Sequence, residues 1–323
     1  EHHFQREGYE CIPNLLILSQ WLAQHTKRIK FGCAFNILPM WHPIRLAEDF
    51  AMVDVLTGGR VIFGIGRGYH TREVETFGAP MLDPDANREL FEEQYEIIMK
   101  AFNQESFSHK GKHYTLPPEV PYRGYQLKEL TLVPRPVNLP VETWQPIVSG
   151  NLRGLDFMAK HGIKGMILGT AMEYADQWVH QYQEANARHG RQLQLGENLA
   201  MGLWGYIEDS QEKAERALRP LFEEHVKFAA PLGMLRYTEE QMKEIGPGGV
   251  ARHIAAGVNF QEVLEKRAWF AGSPEETIAY LKEVEEKYPG LEQVLMAFPM
   301  GATKAQFREQ LTRFAREVMP AFG

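Results

Sequence analysis

Short apolar runs alternate along the chain with longer stretches in which apolar residues recur every three or four positions. The short runs predict buried strands, and the longer stretches predict amphipathic helices. Strands that alternate with helices are typical of a parallel sheet. The predicted strands are residues 29–38, 61–66, 146–149, 163–168, 199–207 and 293–298.

The first predicted helix starts at Pro43, because proline suits the first helical turn, and it stops before the pair Gly58 and Gly59. Its apolar face is expected to contain Ile44, Ala47, Phe50, Ala51 and Val55. The other predicted helices are residues 86–103, 152–161, 173–189, 210–229, 274–287 and 303–319. Ser273 is the expected N-cap of the helix at 274–287, and Glu276 is placed to complete a capping box.

Two regions interrupt the alternation. Residues 104–145 are rich in proline and predict an excursion between strand–helix units. Residues 231–268 contain Gly246-Pro247-Gly248-Gly249 and little strand character, so we interpret them as a long loop or a helical lid. No linker divides the chain, which favours a single domain over residues 1–323.

Length and composition narrow the class of protein. The 323 residues carry 35 basic and 42 acidic side chains, a net charge of −7, which argues against nucleic-acid binding. No run of about 18 apolar residues predicts a membrane span, and no signal peptide is visible. Two cysteines, Cys11 and Cys33, are too few for a disulfide framework or a zinc site, so we expect a reducing, cytoplasmic compartment and no metal centre.

A (β/α)8 barrel takes roughly 250 residues, so the length accommodates one. Six predicted strands are two short of the eight that such a barrel needs. Residues 1–4 would suit the carboxyl end of one missing strand. We therefore expect this chain to lack the N-terminal strand–helix unit of its barrel.

Four polar stretches follow predicted strands, at the end where barrel enzymes carry their active sites. The first contains His2 and His3, whose imidazoles exchange protons near neutral pH, although surface or packing histidines are also common. The second runs from Ala34 and Phe35 to Asn36, a polar residue in an otherwise apolar run that would also suit a buried strand.

The third stretch is Gly64-Ile65-Gly66-Arg67-Gly68. Its glycines allow a ligand to approach the backbone, and Arg67 supplies a charge for a phosphate, but the same spacing also suits a tight turn. The fourth contains Ser149, Gly150 and Asn151 at the start of a helix, where backbone N–H groups favour an anion. If their strands are neighbours, Arg67 and this turn would hold one phosphate.

The order of these motifs resembles the bacterial luciferase-like flavin monooxygenases. The matching motifs are Glu1-His2-His3-Phe4, His42-Pro43-Ile44-Arg45-Leu46-Ala47-Glu48-Asp49, Gly58-Gly59-Arg60-Val61, Phe63-Gly64-Ile65-Gly66-Arg67-Gly68, Phe77-Gly78, Val148-Ser149-Gly150 and Gly272-Ser273-Pro274-Glu275-Glu276. The run from His42 to Gly68 is the specific part of this resemblance.

The resemblance implies a luciferase-like (β/α)8 TIM barrel that binds reduced FMN at its C-terminal face. It places His2 on the family's active-site histidine and His3 on its neighbour, Arg67 on the arginine that grips the flavin phosphate, and Ser149, Gly150 and Asn151 on the turn that completes that phosphate site. Ala34 and Phe35 fall on a dipeptide that carries a cis peptide bond near the flavin ring. The luminous enzymes have a cysteine at the position of Gly66, so light emission is not expected here.

The implied activity is a two-component monooxygenase. A separate flavin reductase would deliver reduced FMN, which reacts with O2 to give a C4a-hydroperoxide that oxidises a small organic substrate. A homodimer is the assembly expected from the family.

Three alternatives stay open. The same barrel binds a deazaflavin for hydride transfer in some members of the family, and a non-catalytic flavin-binding partner subunit is also known among them. A nicotinamide dehydrogenase would use Gly64-x-Gly66-x-Gly68 as its dinucleotide loop. That loop lacks the third glycine at the required spacing, because Arg72 or Glu73 stands there.

Overall fold

The computed structural model describes residues 1–4, 12–229, 259–297 and 299–322. The chain packs as two compact units, Glu1–Pro146 and Ile147–Gly323, which we call the N-terminal and C-terminal units. Cys11 and residues 231–258 of the predicted lid lie outside the described residues.

Among its described residues, the N-terminal unit combines four α-helices with short strands. Its helices are α1 (Leu15–Ala23), α2 (Pro43–Thr57), α3 (Thr71–Thr76) and α4 (Pro84–Asn103), with a 3-10 turn at Leu38–Met40. Its strands are β1 (Phe31–Gly32), β2 (Asn36–Ile37), β3 (Val61–Gly66), β4 (His109–Lys110), β5 (Thr115–Leu116), β6 (Pro121–Tyr122), β7 (Tyr125–Gln126) and β8 (Thr143–Pro146).

Strand β3 organises this unit because β1, β2 and β8 all pair with it in parallel. The prediction of one strand over 29–38 is wrong, because residues between β1 and β2 leave the strand conformation around a cis Ala34–Phe35 bond. The prediction of a strand at 146–149 is also wrong. Strand β8 lies three residues earlier, where the side chains of Thr143, Trp144 and Gln145 are buried although two of them are polar.

Helix α2 has the predicted ends: Pro43 is in its first turn, and Gly58 caps it with a left-handed φ of 68°. Its buried face includes Leu46, Phe50 and Val53. Val55 was predicted on that face but is 43% exposed, so this part of the prediction is wrong.

Residues 104–145 make up the proline-rich region of the N-terminal unit. Strands β4 and β5 pair antiparallel, as do β6 and β7, and Pro117, Pro134 and Pro140 each follow a cis peptide bond. Every residue of this region is described, and none is helical.

The C-terminal unit alternates strands and helices. Its helices are α5 (Leu152–His161), α6 (Met172–Arg188), α7 (Gln211–Ala229), α8 (Phe260–Glu265), α9 (Pro274–Lys287) and α10 (Lys304–Arg313), followed by a π-helical turn (Phe314–Val318) and a 3-10 turn (Met319–Ala321). Its strands are β9 (Lys164–Leu168), β10 (Leu199–Ile207), β11 (Trp269–Gly272) and β12 (Gln293–Ala297).

Strand β10 is central here, pairing in parallel with β9, β11 and β12. Strand β11 was not predicted. The capping box of Ser273 and Glu276 is confirmed at the start of α9. The helix predicted over 303–319 loses its α-helical geometry after Arg313. No helix in the described part of the chain has the length and apolar character needed to cross a bilayer.

Candidate active site

Glu1 is a buried carboxylate that forms several hydrogen bonds within the N-terminal unit. The residue is 6% exposed, and its oxygens accept hydrogen bonds from the backbone N–H of Ile37 (2.8 Å), the indole of Trp41 (2.8 Å) and Nε2 of His3 (3.1 Å). The Glu1 nitrogen also donates to the carbonyl of Phe35 at 3.2 Å. Glu1 therefore ties the histidine pair to the strand end that carries the cis peptide bond.

His2 lies between an acid and a phenol. Its Nδ1 is 3.3 Å from Oε1 of Glu73, and its Nε2 is 3.0 Å from the hydroxyl of Tyr69. The ring of His70 stands edge-on to the His2 ring at 5.7 Å between centroids. A histidine held at both ring nitrogens has a defined orientation for proton transfer.

The surroundings keep Glu73 ionised and His70 neutral. Burial alone would raise the pKa of Glu73, but hydrogen bonds from the His2 ring and the His3 backbone hold it below its ordinary value. Burial lowers the pKa of His70, although the charge of Glu73 opposes that effect. Ligand atoms of His2, His70 and Glu73 lie within 4.8 Å of one another, so the trio has the composition of a metal site as well as that of a hydrogen-bonded cluster.

The second predicted stretch lies next to this cluster. The Ala34–Phe35 bond is cis, as the family resemblance implied. Asn36 is buried, and its Nδ2 donates to the carbonyl of Gly64 at 2.9 Å. Its Oδ1 is buried without a hydrogen-bond partner among the described residues.

Gly66 and Arg67 stand at the end of β3. A methyl group added at Gly66 would come within 3.1 Å of Ile37 and 3.3 Å of Phe35, so the glycine permits close packing against the cis-bonded segment. Nη1 of Arg67 donates to Oδ1 of Asn87 (3.2 Å) and to the carbonyl of Pro84 (3.4 Å) at the start of α4.

Ser149, Gly150 and Asn151 belong to the C-terminal unit. Asn151 caps α5 by accepting a hydrogen bond from the backbone N–H of Gly154 at 3.0 Å. A side chain at Gly150 would come within 2.5 Å of Oε1 of Gln181, a buried oxygen with no hydrogen-bond partner in the described structure. These three residues directly precede a ten-residue helix whose first N–H groups suit an anion.

Sequence reasoning missed Tyr69, His70 and Glu73, the residues around His2, and Asn87, which holds Arg67. The first three directly follow the glycine-rich loop, and a polar run after a strand end was the signal that would have found them. Asn87 gave no signal, because it resembles any polar residue in the first turns of a helix.

Parallel strands joined by helices, with polar side chains gathered beside a strand end, are typical of the parallel α/β class of proteins. Residues 1–289 match the luciferase-like monooxygenase family. The chain belongs to the luciferase-like monooxygenases.

Two relatives align with the whole chain. One is 4-hydroxyprotoasukamycin monooxygenase from Streptomyces nodosus subsp. asukaensis, 25% identical over 100% of this chain and 81% of its own length. The other is the oxygenase component of flavin-dependent trigonelline monooxygenase from Acinetobacter baylyi, 24% identical over 100% of this chain and 84% of the relative. A Sinorhizobium fredii protein is 39% identical over a shorter region, which spans 36% of this chain and 32% of that protein.

Solved structures share the fold. The oxygenating constituent of 3,6-diketocamphane monooxygenase from Pseudomonas putida, determined with FMN, superposes with a TM-score of 0.76 at 20% identity, over 99% of this chain and 86% of that chain. The coenzyme F420-dependent tetrahydromethanopterin reductase from Methanopyrus kandleri gives a TM-score of 0.64 at 17% identity, over 96% of this chain and 88% of that chain.

Proposed function

We propose that the protein is the oxygenase component of a two-component monooxygenase. It would bind reduced FMN supplied by a separate flavin reductase, together with O2 and a small organic substrate. The observation that carries this proposal is His2, which a buried carboxylate and a phenol hold in place beside the cis-bonded segment of a luciferase-like chain. The oxygenase component of trigonelline monooxygenase, which aligns with the full chain, supports the division of labour.

The residues of the N-terminal unit fit a flavin. The unpartnered Oδ1 of Asn36 is an acceptor for an N–H or hydroxyl of the cofactor, and the guanidinium of Arg67 suits its phosphate. In the C-terminal unit, Ser149, Gly150 and Asn151 at the N-terminus of α5 are a candidate anion-binding element considered by itself. Bound reduced FMN would supply the reaction with O2.

The protein residues then orient, shield and exchange protons. His2 would act as the acid or base for protons of the bound reactants, and Phe35 and Ile37 would contribute apolar surface that excludes water. The substrate is proposed to be apolar and to carry a carbonyl or alkene, by analogy with the family.

Anaerobic titration with reduced FMN, followed by admission of O2, tests the function. We expect saturable FMN binding and a transient, oxygen-dependent absorbance. Titration with a deazaflavin is the comparison. Binding of the deazaflavin alone would replace the proposal with hydride transfer, and binding of neither would indicate a non-catalytic partner subunit.

Arg67→Ala sharpens the cofactor assignment. If Arg67 binds the phosphate, the variant loses about 10- to 100-fold in affinity for FMN, because hydrogen bonds to charged groups contribute about 1.5–3 kcal/mol. Affinity for riboflavin, which lacks the phosphate, stays unchanged. Arg45→Ala is the matched control, because Arg45 pairs with Glu48 and Asp49 on the exposed side of α2. An equal loss for both ligands would remove Arg67 from the phosphate site.

We further propose that the protein is a homodimer through the packed pair α1 and α2. Large apolar side chains on these helices are 43% to 64% exposed: Ile17, Trp21, Met52, Val55 and Leu56. An exposed apolar face of this kind is typical of an interaction surface. Trp21→Glu should give a monomer in light-scattering measurements, whereas Phe307→Glu, at an equally apolar exposed position on α10, should not. A dimer that survives Trp21→Glu would contradict this interface.

A further inference from the structure

We infer that Glu73, His2 and Tyr69 form a directional proton-transfer chain, in which Glu73 positions His2 and the hydroxyl of Tyr69 is the end that meets the bound reactant. The inference deepens the proposed function and rests on it for the identity of the reactant. Three contacts within the N-terminal unit carry it: Glu73 with His2, Glu73 with the His3 backbone, and His2 with Tyr69.

The carboxylate fixes the tautomer of His2. Glu73 is 2% exposed and its pKa is held below the ordinary value, so it is ionised and has only acceptor oxygens. Its Oε1 is 3.3 Å from Nδ1 of His2, so the neutral imidazole must carry its hydrogen on Nδ1. The His3 backbone N–H donates to the same oxygen at 2.9 Å and prevents the carboxylate from turning away.

The direction of the next hydrogen bond then follows. With hydrogen on Nδ1, Nε2 of His2 is an acceptor, and the Tyr69 hydroxyl 3.0 Å away must donate to it. Tyr69 is 40% exposed, in contrast to Glu73, so the chain runs from a buried charge to an accessible hydroxyl.

His3 is held in the opposite way. Its Nε2 is 3.1 Å from Oε1 of Glu1, a carboxylate that already accepts from Ile37 and Trp41. Nε2 of His3 must therefore be its donor. Two adjacent histidines thus carry their hydrogens on different nitrogens, and the ring of His3 packs against Phe77 at 4.8 Å between centroids instead of contacting a phenol.

The proton balance is simple. When the Tyr69 oxygen takes a proton from a bound reactant, the Tyr69 hydroxyl hydrogen passes to Nε2 of His2. The imidazolium formed donates from Nδ1 to the Glu73 carboxylate, which compensates its charge. The reverse sequence delivers a proton, as the formation of H2O2 from reduced FMN, O2 and one proton requires. The titratable groups that face this chain are His70 and Arg72 beside Glu73, and Glu1 and His3 next along the backbone.

Nitrogen-15 NMR of the flavin-free full chain with labelled histidine tests the positioning directly. His2→Gln and His3→Gln assign the two sets of signals. We expect the Nδ1–H tautomer for His2 and the Nε2–H tautomer for His3. In Glu73→Gln the His3 N–H still requires an acceptor oxygen at this position, so His2 is expected to keep the Nδ1–H tautomer while it loses the negative charge that compensates its imidazolium. Glu75→Gln is the matched control on α3, because among the described residues Glu75 accepts hydrogen bonds from the backbone of Met81 and Leu82 and not from a histidine.

The same variants are then loaded with reduced FMN and mixed with O2. Glu73→Gln should lower the rate constant for H2O2 release by about 100-fold, within the range of general acid–base effects. Tyr69→Phe should lower it by about tenfold or more while leaving the His2 tautomer unchanged, and Glu75→Gln should stay within about twofold of the parent.

The outcomes separate the two proposals. An Nε2–H tautomer for His2, or a full rate in Glu73→Gln, would overturn the chain. A full rate in Tyr69→Phe would remove its terminal member. If the purified protein contains zinc and the His2 signals change on addition of EDTA, His2, His70 and Glu73 form a metal centre. That result would also overturn the proton-transfer chain. If FMN fails to bind, the proposed function fails while the tautomers still decide the positioning.

Discussion

Two histidines, His2 and His225, have contrasting surroundings in the two units. His2, in the N-terminal unit, contacts a carboxylate at one ring nitrogen and a phenol at the other. His225, in the C-terminal unit, lies against the rings of Trp204 (4.8 Å) and Trp269 (5.1 Å), and its Nδ1 is buried with no hydrogen-bond partner in the described residues. The surroundings of His2 suit an imidazole that gains and loses a proton, whereas those of His225 disfavour the imidazolium form.

The contrast extends to other buried polar groups. Glu1, Asn36, His70 and Glu73 are all less than 10% exposed in the N-terminal unit, and they cluster at strand ends. Gln310, in the C-terminal unit, is also buried. Its amide oxygen accepts from the backbone N–H of Ile207 and its amide nitrogen donates to the Ile207 carbonyl, so it stabilises the backbone. Buried polar side chains therefore surround the candidate site in the N-terminal unit, whereas buried Gln310 holds backbone in the C-terminal unit.

The largest expected effect comes from Glu1→Ala. Removal of this carboxylate leaves the N–H groups of Ile37 and Trp41 buried without acceptors, and each such group costs about 1–3 kcal/mol. We expect the free energy of unfolding to fall by about 4 kcal/mol in urea denaturation of the full chain. Glu1→Gln, which keeps one acceptor oxygen, should lose roughly half as much. A loss below about 1 kcal/mol in the alanine variant would show that the carboxylate does not organise this end of the unit.

His225→Phe tests whether the apolar surroundings of His225 make the stability of the protein depend on pH. Burial lowers the pKa of His225 from 6.5 to about 4, so the unfolded chain binds a proton at pH 5 that the folded chain does not. Stability therefore falls as the pH drops below 6.5. Through this proton, His225 should lower the free energy of unfolding by about 2 kcal/mol when the pH falls from 7.5 to 5.

Phenylalanine at this position has no proton to gain, so the stability of the variant relative to the parent should rise by that amount over the same interval. Urea midpoints of both proteins at the two pH values provide the measurement. Parallel pH dependences for the variant and the parent would mean that His225 is protonated in the folded protein.

The smallest effect is expected at a helix cap of the C-terminal unit. Ser273 accepts from the backbone N–H of Glu276 and completes a capping box on α9. Ser273→Ala should lower the free energy of unfolding by about 1 kcal/mol without changing flavin binding. Ser273→Thr, which retains the hydroxyl, serves as the control. A larger loss in the alanine variant would indicate that this exposed cap supports more than its own helix.

Local patterns predicted the longer helices, such as α2 and α9, because starts and stops such as Pro43, Gly58 and Ser273 depend on neighbouring residues only. The patterns missed the shorter helices α1, α3 and α8. The same patterns failed at Val55 and at β8. Val55 matches the apolar period of α2 but faces away from the unit's core, and β8 buries polar side chains that a hydrophobicity pattern assigns to the surface.

The candidate site was only half predictable. His2 and Arg67 belong to motifs that the family resemblance identified, and the cis bond at Ala34–Phe35 came from the same source. Glu73 lies 71 positions from His2 along the chain, so only the folded unit shows that the two side chains meet. Long-range pairing of this kind leaves no periodic signal in a single sequence.

The reactivity of the buried Cys33 thiol can be used to detect local opening of the N-terminal unit. The residue is 1% exposed directly before the cis-bonded segment, its thiol contacts the hydroxyl of Ser19, and burial raises its pKa. A thiol in this environment reacts with alkylating reagents only when β1 and β2 separate from their surroundings. In a Cys11→Ser background, the alkylation rate of Cys33 would therefore report how often the strand end that carries the site opens. A bound flavin would lower that rate.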